Sequence, residues 1–152
     1  MQHDIHPPLN RFDAGKFALE AVSESLAAEV ADHGIAVNTV EPGYLRTDFL
    51  RPVSLGLPSS TSDAYPAVRE MVEQHLAMPG TQLGDPAKAA AAIVAVATSG
   101  RAPLHQLLGS DSVSLATGRL QTLSDDFEAA RALAVTTDVP ATGDPSGRTV
   151  RT

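Results

Sequence analysis

The chain has 152 residues, a formal net charge of −7 and no cysteine. Its length allows one domain with a modest core. The acidic charge and scattered basic residues argue against nucleic-acid or membrane-surface binding. The lack of cysteine excludes disulfides and fits a cytoplasmic protein. The longest apolar run, residues 89–97, is too short to cross a membrane.

The first predicted element is a long helix over residues 13–33. Residues 1–11 precede it as an irregular lead-in, because two consecutive prolines disfavour a helix there. Asp13 is a plausible cap for its first turn, and Gly34 is a natural stop. One apolar stripe recurs at helical spacing, at Leu19, Val22, Leu26 and Val30. Acidic side chains occupy the other faces: Glu20, Glu24, Glu29 and Asp32.

Residues 35–40 are predicted to form a buried parallel strand, because they are rich in β-branched side chains. Pro42 and Gly43 close this strand. The order helix, glycine, strand, Pro-Gly is typical of half a βαβ unit.

The rest of the chain continues the α/β pattern. A helix over 87–98 has Asp85 as its cap and Pro86 as its first residue. The other predictions are a helical stretch over 64–76, a short strand over 104–109, a helix over 112–134 and a disordered tail over 136–152.

Two segments carry a family resemblance. The first runs from Lys16 as Lys-Phe-Ala-Leu-Glu-Ala-Val-Ser-Glu-Ser-Leu. The second, over 34–43, runs Gly-Ile-Ala-Val-Asn-Thr-Val-Glu-Pro-Gly and leads to Thr47 and Asp48. They resemble the second half of a short-chain dehydrogenase/reductase, a family of NAD(P)-dependent oxidoreductases. The resemblance implies the C-terminal part of a doubly wound Rossmann domain over residues 1–135, with about two parallel strands and three main helices.

The resemblance also implies a site. The family carries a Tyr-x-x-x-Lys pair in which the ammonium lowers the phenol pKa and holds the nicotinamide ribose. Lys16 matches the lysine as a catalytic and cofactor-binding residue, but Phe12 stands at the tyrosine position and cannot transfer a proton. Pro42, Gly43 and Thr47 match the family's cofactor loop. Without the resemblance, Lys16 would be an ordinary solvated lysine and the loop an ordinary turn.

Other features of a working site are missing from these residues. The sequence has no glycine-rich turn after a strand to bind the cofactor pyrophosphate, so NAD(P) binding by this chain alone is not expected. No metal site is expected either. His3 and His6 flank Asp4, but they precede the two prolines on a segment without regular structure.

These observations lead to three alternative hypotheses for the function of the chain. The leading hypothesis is a truncated short-chain dehydrogenase/reductase-like protein that does not catalyse alone. The second is a non-catalytic interaction module, since the helix over 13–33 packs against its own copy in relatives. The third is an oxidoreductase completed by a missing or separate N-terminal half. An open strand edge favours a homo-oligomer or pairing with such a half.

Overall fold

The computed structural model describes residues 10–54 and 64–139. They form an α/β fold with a two-stranded parallel sheet, as predicted. In chain order the elements are α1 (Asn10–Val30), β1 (Thr39–Pro42), α2 (Pro66–Ala77), α3 (Pro86–Thr98), β2 (His105–Leu108) and α4 (Ser110–Ala134). The chain divides into two compact units, Met1–Arg119 and Leu120–Thr152, with the boundary inside α4.

Helix α1 begins at Asn10, three residues earlier than predicted, and so includes residues 10 and 11 of the expected lead-in. Residues 1–9 lie outside the described part of the chain. Asp13 is buried within the first turn and does not precede the helix as a cap. A 3-10 turn extends the helix to His33. Gly34 then adopts a left-handed conformation with φ of 66°, which confirms the predicted stop.

The two strands pair in register from Thr39 opposite His105 to Pro42 opposite Leu108. Strand β1 therefore starts four residues later than predicted, and Ile35 is 57% exposed. The β-branched run does not decide the strand boundary, because a strand also needs a partner. Pairing with β2 begins only at Thr39.

The remaining helices follow their sequence signals closely. Asp85 caps α3 by accepting hydrogen bonds from the backbone N–H groups of Ala87 and Lys88 at 2.9 and 3.3 Å. Pro66 begins α2, which confirms the predicted helical stretch. Helix α4 starts two residues earlier than predicted and ends as predicted. A 3-10 turn continues to Thr137, into the expected tail. Residues 140–152 are outside the structural description.

In the part of the chain that the structure describes, few hydrophobic side chains are buried. Among the described residues, the buried hydrophobic side chains are Leu50 and Ala89. The predicted stripe on α1 is instead exposed: Leu19, Val22 and Leu26 keep 56%, 62% and 44% of their accessible surface. The stripe therefore does not form a core within this chain. In the same ranges, no helix combines the length and hydropathy that a bilayer span requires.

Candidate functional site

The resemblance to the Tyr-x-x-x-Lys pair falls on the first half of α1. Phe12 and Lys16 lie within the helix and are separated by one turn. The side chain of Lys16 is exposed. This spacing along the helix is that of the Tyr-x-x-x-Lys motif.

The predicted cofactor loop follows β1 and is held by the start of α4. The Gly43 N–H donates to the Leu108 carbonyl at 2.8 Å, and the Tyr44 N–H donates to Asp111 Oδ2 at 2.7 Å. A Cβ atom at Gly43 would overlap the Asp111 carboxylate. The group that approaches this glycine closely is therefore a side chain of the same protein.

Asp111 was missed by sequence reasoning, although it organises the loop. Its Oδ1 accepts a hydrogen bond from the Ser112 N–H at 3.0 Å. The fully buried Ser112 hydroxyl donates to the Glu41 carbonyl at 2.7 Å. Gly109 has φ of 105°, a conformation that favours glycine. These contacts fix the end of β1 to the start of α4.

Thr47 lies at the start of a 3-10 turn and accepts a hydrogen bond from the Phe49 N–H at 3.3 Å. It lines an open cleft of about 530 Å³ together with Arg46, Asp48, Arg51 and Gly80. Lys16, Pro42 and Gly43 are not among the lining residues. The structure therefore does not bring all the predicted cofactor residues together at this cleft.

The two arginines of the cleft are held in place by other groups. Arg46 donates through Nε and Nη2 to the Gln82 carbonyl at 3.0 and 2.7 Å. Arg51 Nε pairs with Asp48 Oδ1 at 2.6 Å. Two guanidinium groups beside one carboxylate give the cleft a net positive lining, which is suited to an anionic group.

A phenol and an imidazole meet beside the loop. Tyr44 Oη lies 2.9 Å from His75 Nε2, and the rings are edge-on at 5.7 Å between centroids. His75 Nδ1 lies 2.8 Å from the Met71 carbonyl oxygen. Because that oxygen can only accept, Nδ1 is the donor in this contact, and a neutral ring would then accept from the Tyr44 hydroxyl at Nε2. The two partners are 31 positions apart in the sequence, and no motif at that separation predicts the pair.

A second polar cluster joins α1 to both strands. His105 Nδ1 lies 2.9 Å from Glu20 Oε1 and 2.8 Å from Glu41 Oε1. Both carboxyl residues are buried, at 8% and 7% exposure. Burial raises the pKa of Glu41, but contributions led by the hydrogen bond with His105 bring that pKa below its ordinary value. Glu20 lies outside the apolar stripe, but its burial beside Thr39 and His105 was not predicted from the sequence.

Comparison with known proteins shows what this chain is similar to. The family profile described as short chain dehydrogenase matches residues 7–57, which contain the Lys16 segment and the loop after β1. Together with the relatives below, this match shows that the chain is similar to short-chain dehydrogenases/reductases over part of their length. Its α/β fold is similar to the Rossmann-type fold of that family.

The relatives are oxidoreductases. The chain is 30% identical over 129 residues to Oxidoreductase BOA17 of Botryotinia fuckeliana (strain B05.10), a match that covers 85% of this chain and 47% of that protein. It is 32% identical over 87 residues to the 3-oxoacyl-[acyl-carrier-protein] reductase FabG of Vibrio harveyi, which covers 57% of this chain and 30% of the relative.

A solved structure of a short-chain dehydrogenase is also similar to this chain. The crystal structure of a short-chain dehydrogenase from Streptomyces avermitilis matches with a TM-score of 0.70 and 36% identity. The match covers 86% of this chain and 46% of that one. The chain thus spans about half the length of the Botryotinia protein and of the Streptomyces structure.

Proposed function

We propose that this polypeptide is a truncated short-chain dehydrogenase/reductase-like protein that does not transfer hydride alone. The observation that carries the proposal is Phe12, one helical turn before Lys16, where the family has its tyrosine. A phenyl ring has no proton to exchange with a carbonyl or alcohol oxygen. We place the protein in the cytoplasm, in keeping with its lack of cysteine.

The contacts around the predicted loop fit NAD(P) only in part. Thr47 borders a cleft with two guanidinium groups, which would suit a phosphate. At Gly43, however, the space beside the backbone is filled by the Asp111 carboxylate, whose charge would repel a phosphate. The glycine-rich turn that holds the pyrophosphate in Rossmann domains has no counterpart in these 152 residues.

We therefore expect no tight binding of NADH or NADPH by the polypeptide alone. The test is a titration followed by nicotinamide fluorescence, with a full-length family member as a positive control. Saturable binding with a dissociation constant below about 0.1 mM, an affinity of roughly 5 kcal/mol, would contradict this expectation. Loss of that binding in Lys16→Ala would show that Lys16 retains its family role.

Restoring the tyrosine should not restore activity. In Phe12→Tyr we expect NAD(P)H turnover to stay at background, because a proton donor is useless without a positioned nicotinamide ring. We expect the new phenol to have a pKa below the ordinary value of about 10, because Lys16 lies one turn away.

An ultraviolet difference titration against the parent chain, which already has two tyrosines, measures that pKa. In the matched variant Phe12→Tyr/Lys16→Gln the shift should disappear. If the pKa of the new phenol is not shifted, the introduced tyrosine and Lys16 do not share a helix face. Dehydrogenase activity in the single variant would defeat the proposal itself.

The second candidate function is that of an interaction module, and the exposed stripe on α1 favours it. Leu19, Val22 and Leu26 form an apolar stripe that stays largely exposed in the described part of the chain, and exposed apolar patches mark interfaces. We infer a homo-oligomer through α1, or pairing with a complementary dehydrogenase half. Mixing the chain with a separately expressed N-terminal half of a relative, followed by size-exclusion chromatography, separates these two forms of assembly.

A further inference from the structure

The cluster of Glu20, Glu41 and His105 has the composition of a metal site. One ligand atom from each side chain lies within 4.8 Å of the other two. The residues come from α1, β1 and β2, so their convergence depends on the fold and on no sequence spacing. Two carboxylate oxygens and one imidazole nitrogen form a mixed ligand set suited to zinc and neighbouring first-row ions.

We propose that Glu20, Glu41 and His105 bind a divalent first-row transition metal, with Zn²⁺ as the best-matched ion. An ion held at about 2.0–2.1 Å separates tetrahedral ligands by about 3.3 Å. The observed separations from His105 Nδ1 are 2.9 and 2.8 Å. Side-chain shifts of about half an ångström would therefore convert the present hydrogen bonds into a coordination sphere.

The charges in the cluster favour a cation. Two buried carboxylates with a neutral imidazole carry a charge of −2, and protonating His105 still leaves −1. A divalent ion would balance the charges of the Glu20 and Glu41 carboxylates without any protonation, and charges of opposite sign interact strongly away from water.

The second nitrogen of the His105 imidazole also has a carboxylate nearby. This nitrogen, Nε2, faces Glu24 Oε1 at 3.9 Å, and metal-bound histidines commonly direct their other N–H toward a carboxylate. A neutral ring with its proton on Nε2 would present the Nδ1 lone pair to Glu20 and Glu41. The His105 side chain keeps 37% of its accessible surface, which gives an ion a route from solvent.

The Thr39 hydroxyl also lies beside the cluster of Glu20, Glu41 and His105. Its Oγ1 lies 3.3 Å from both Glu20 Oε1 and Glu41 Oε1, and it donates to the Leu104 carbonyl at 2.8 Å. With its proton directed to that carbonyl, the oxygen presents lone pairs to the cluster. A bound ion would thus link α1 to the sheet and stabilise their packing.

The test uses the tag-free chain after EDTA treatment. We expect Zn²⁺ to bind with one-to-one stoichiometry by calorimetry and to raise the melting temperature, and Co²⁺ to give a visible d–d spectrum. Binding should weaken as the pH falls, because protons compete for the ligands. Mg²⁺ and Ca²⁺, which prefer sites made only of oxygen ligands, should bind far more weakly.

Variants locate the site. Glu20→Gln and His105→Ala should each weaken Zn²⁺ binding at least tenfold, as expected for loss of a ligand. Glu29→Gln, an exposed change on the same helix, should leave binding unchanged, and so should the double variant His3→Ala/His6→Ala. Glu20→Gln is nearly isosteric and keeps the test valid if His105→Ala fails to fold.

The alternative is an ion triad in which a protonated His105 bridges the two carboxylates. It predicts no saturable Zn²⁺ or Co²⁺ binding up to about 1 mM, a weak affinity of roughly 4 kcal/mol. That result would overturn the proposal, as would binding that survives in both Glu20→Gln and His105→Ala. Neither result bears on hydride transfer, since the measurement involves no nicotinamide cofactor.

Discussion

Replacing Gly43 with alanine is expected to destabilise the fold by about 2–4 kcal/mol. The new methyl group would overlap the Asp111 carboxylate. Asp111 could move away only by giving up its hydrogen bonds to the N–H groups of Tyr44 and Ser112. Urea denaturation followed by circular dichroism measures the change in the free energy of unfolding.

Two further variants test the cause. Gly118→Ala changes an exposed helical glycine with nothing within 4 Å of the added Cβ, and should stabilise the chain by about 0.5–1 kcal/mol. In an Asp111→Ala background, Gly43→Ala should lower the free energy of unfolding by at least about 1 kcal/mol less than it does in the parent chain. Asp111 is not the constraint if Gly43→Ala destabilises the chain no more than Gly118→Ala does. The same conclusion follows if Gly43→Ala lowers the free energy of unfolding equally in both backgrounds.

Replacing Leu26 with aspartate should convert a self-associated chain into a monomer. Leu26 lies in the exposed stripe on α1 with 44% of its surface accessible, so the change should affect the isolated fold little. In an interface, an unpaired carboxylate would be costly. We expect the dissociation constant to rise about a hundredfold or more, which corresponds to roughly 3 kcal/mol.

Sedimentation velocity over a range of concentrations gives the oligomeric state. Ala28→Asp is the matched control, because it adds the same charge at an exposed position two residues away, nearly on the opposite side of the helix. It should associate as the parent chain does. A parent chain that is monomeric at tens of micromolar would show that α1 is not an interface. A Leu26→Asp variant that still associates would show the same.

The elements with strong local signals could be predicted from sequence. Asp85 followed by Pro86 fixed the start of α3, and Gly34 fixed the end of the α1 segment, because a cap and a left-handed glycine act over a few residues. The strand at 35–40 was misplaced toward the N-terminus. Its boundary depends on where a distant strand begins to pair, which local propensity does not encode.

The site was predictable only where a motif is local. Phe12 and Lys16 are separated by one helical turn, so their spacing is visible in the sequence. Glu20, Glu41 and His105 are brought together by the fold, and nothing in their spacing reveals the cluster. The sequence therefore placed Glu20 outside the apolar stripe but gave no sign that it is buried.

The central claim is that these residues alone do not form a working dehydrogenase. The most direct measurement is the rate of NADH and NADPH oxidation by the purified, tag-free chain with a panel of ketones, aldehydes and 3-oxoacyl thioesters. The account predicts a rate at the no-enzyme background that Lys16→Ala leaves unchanged. Carbonyl-dependent oxidation above background that Lys16→Ala abolishes would contradict it.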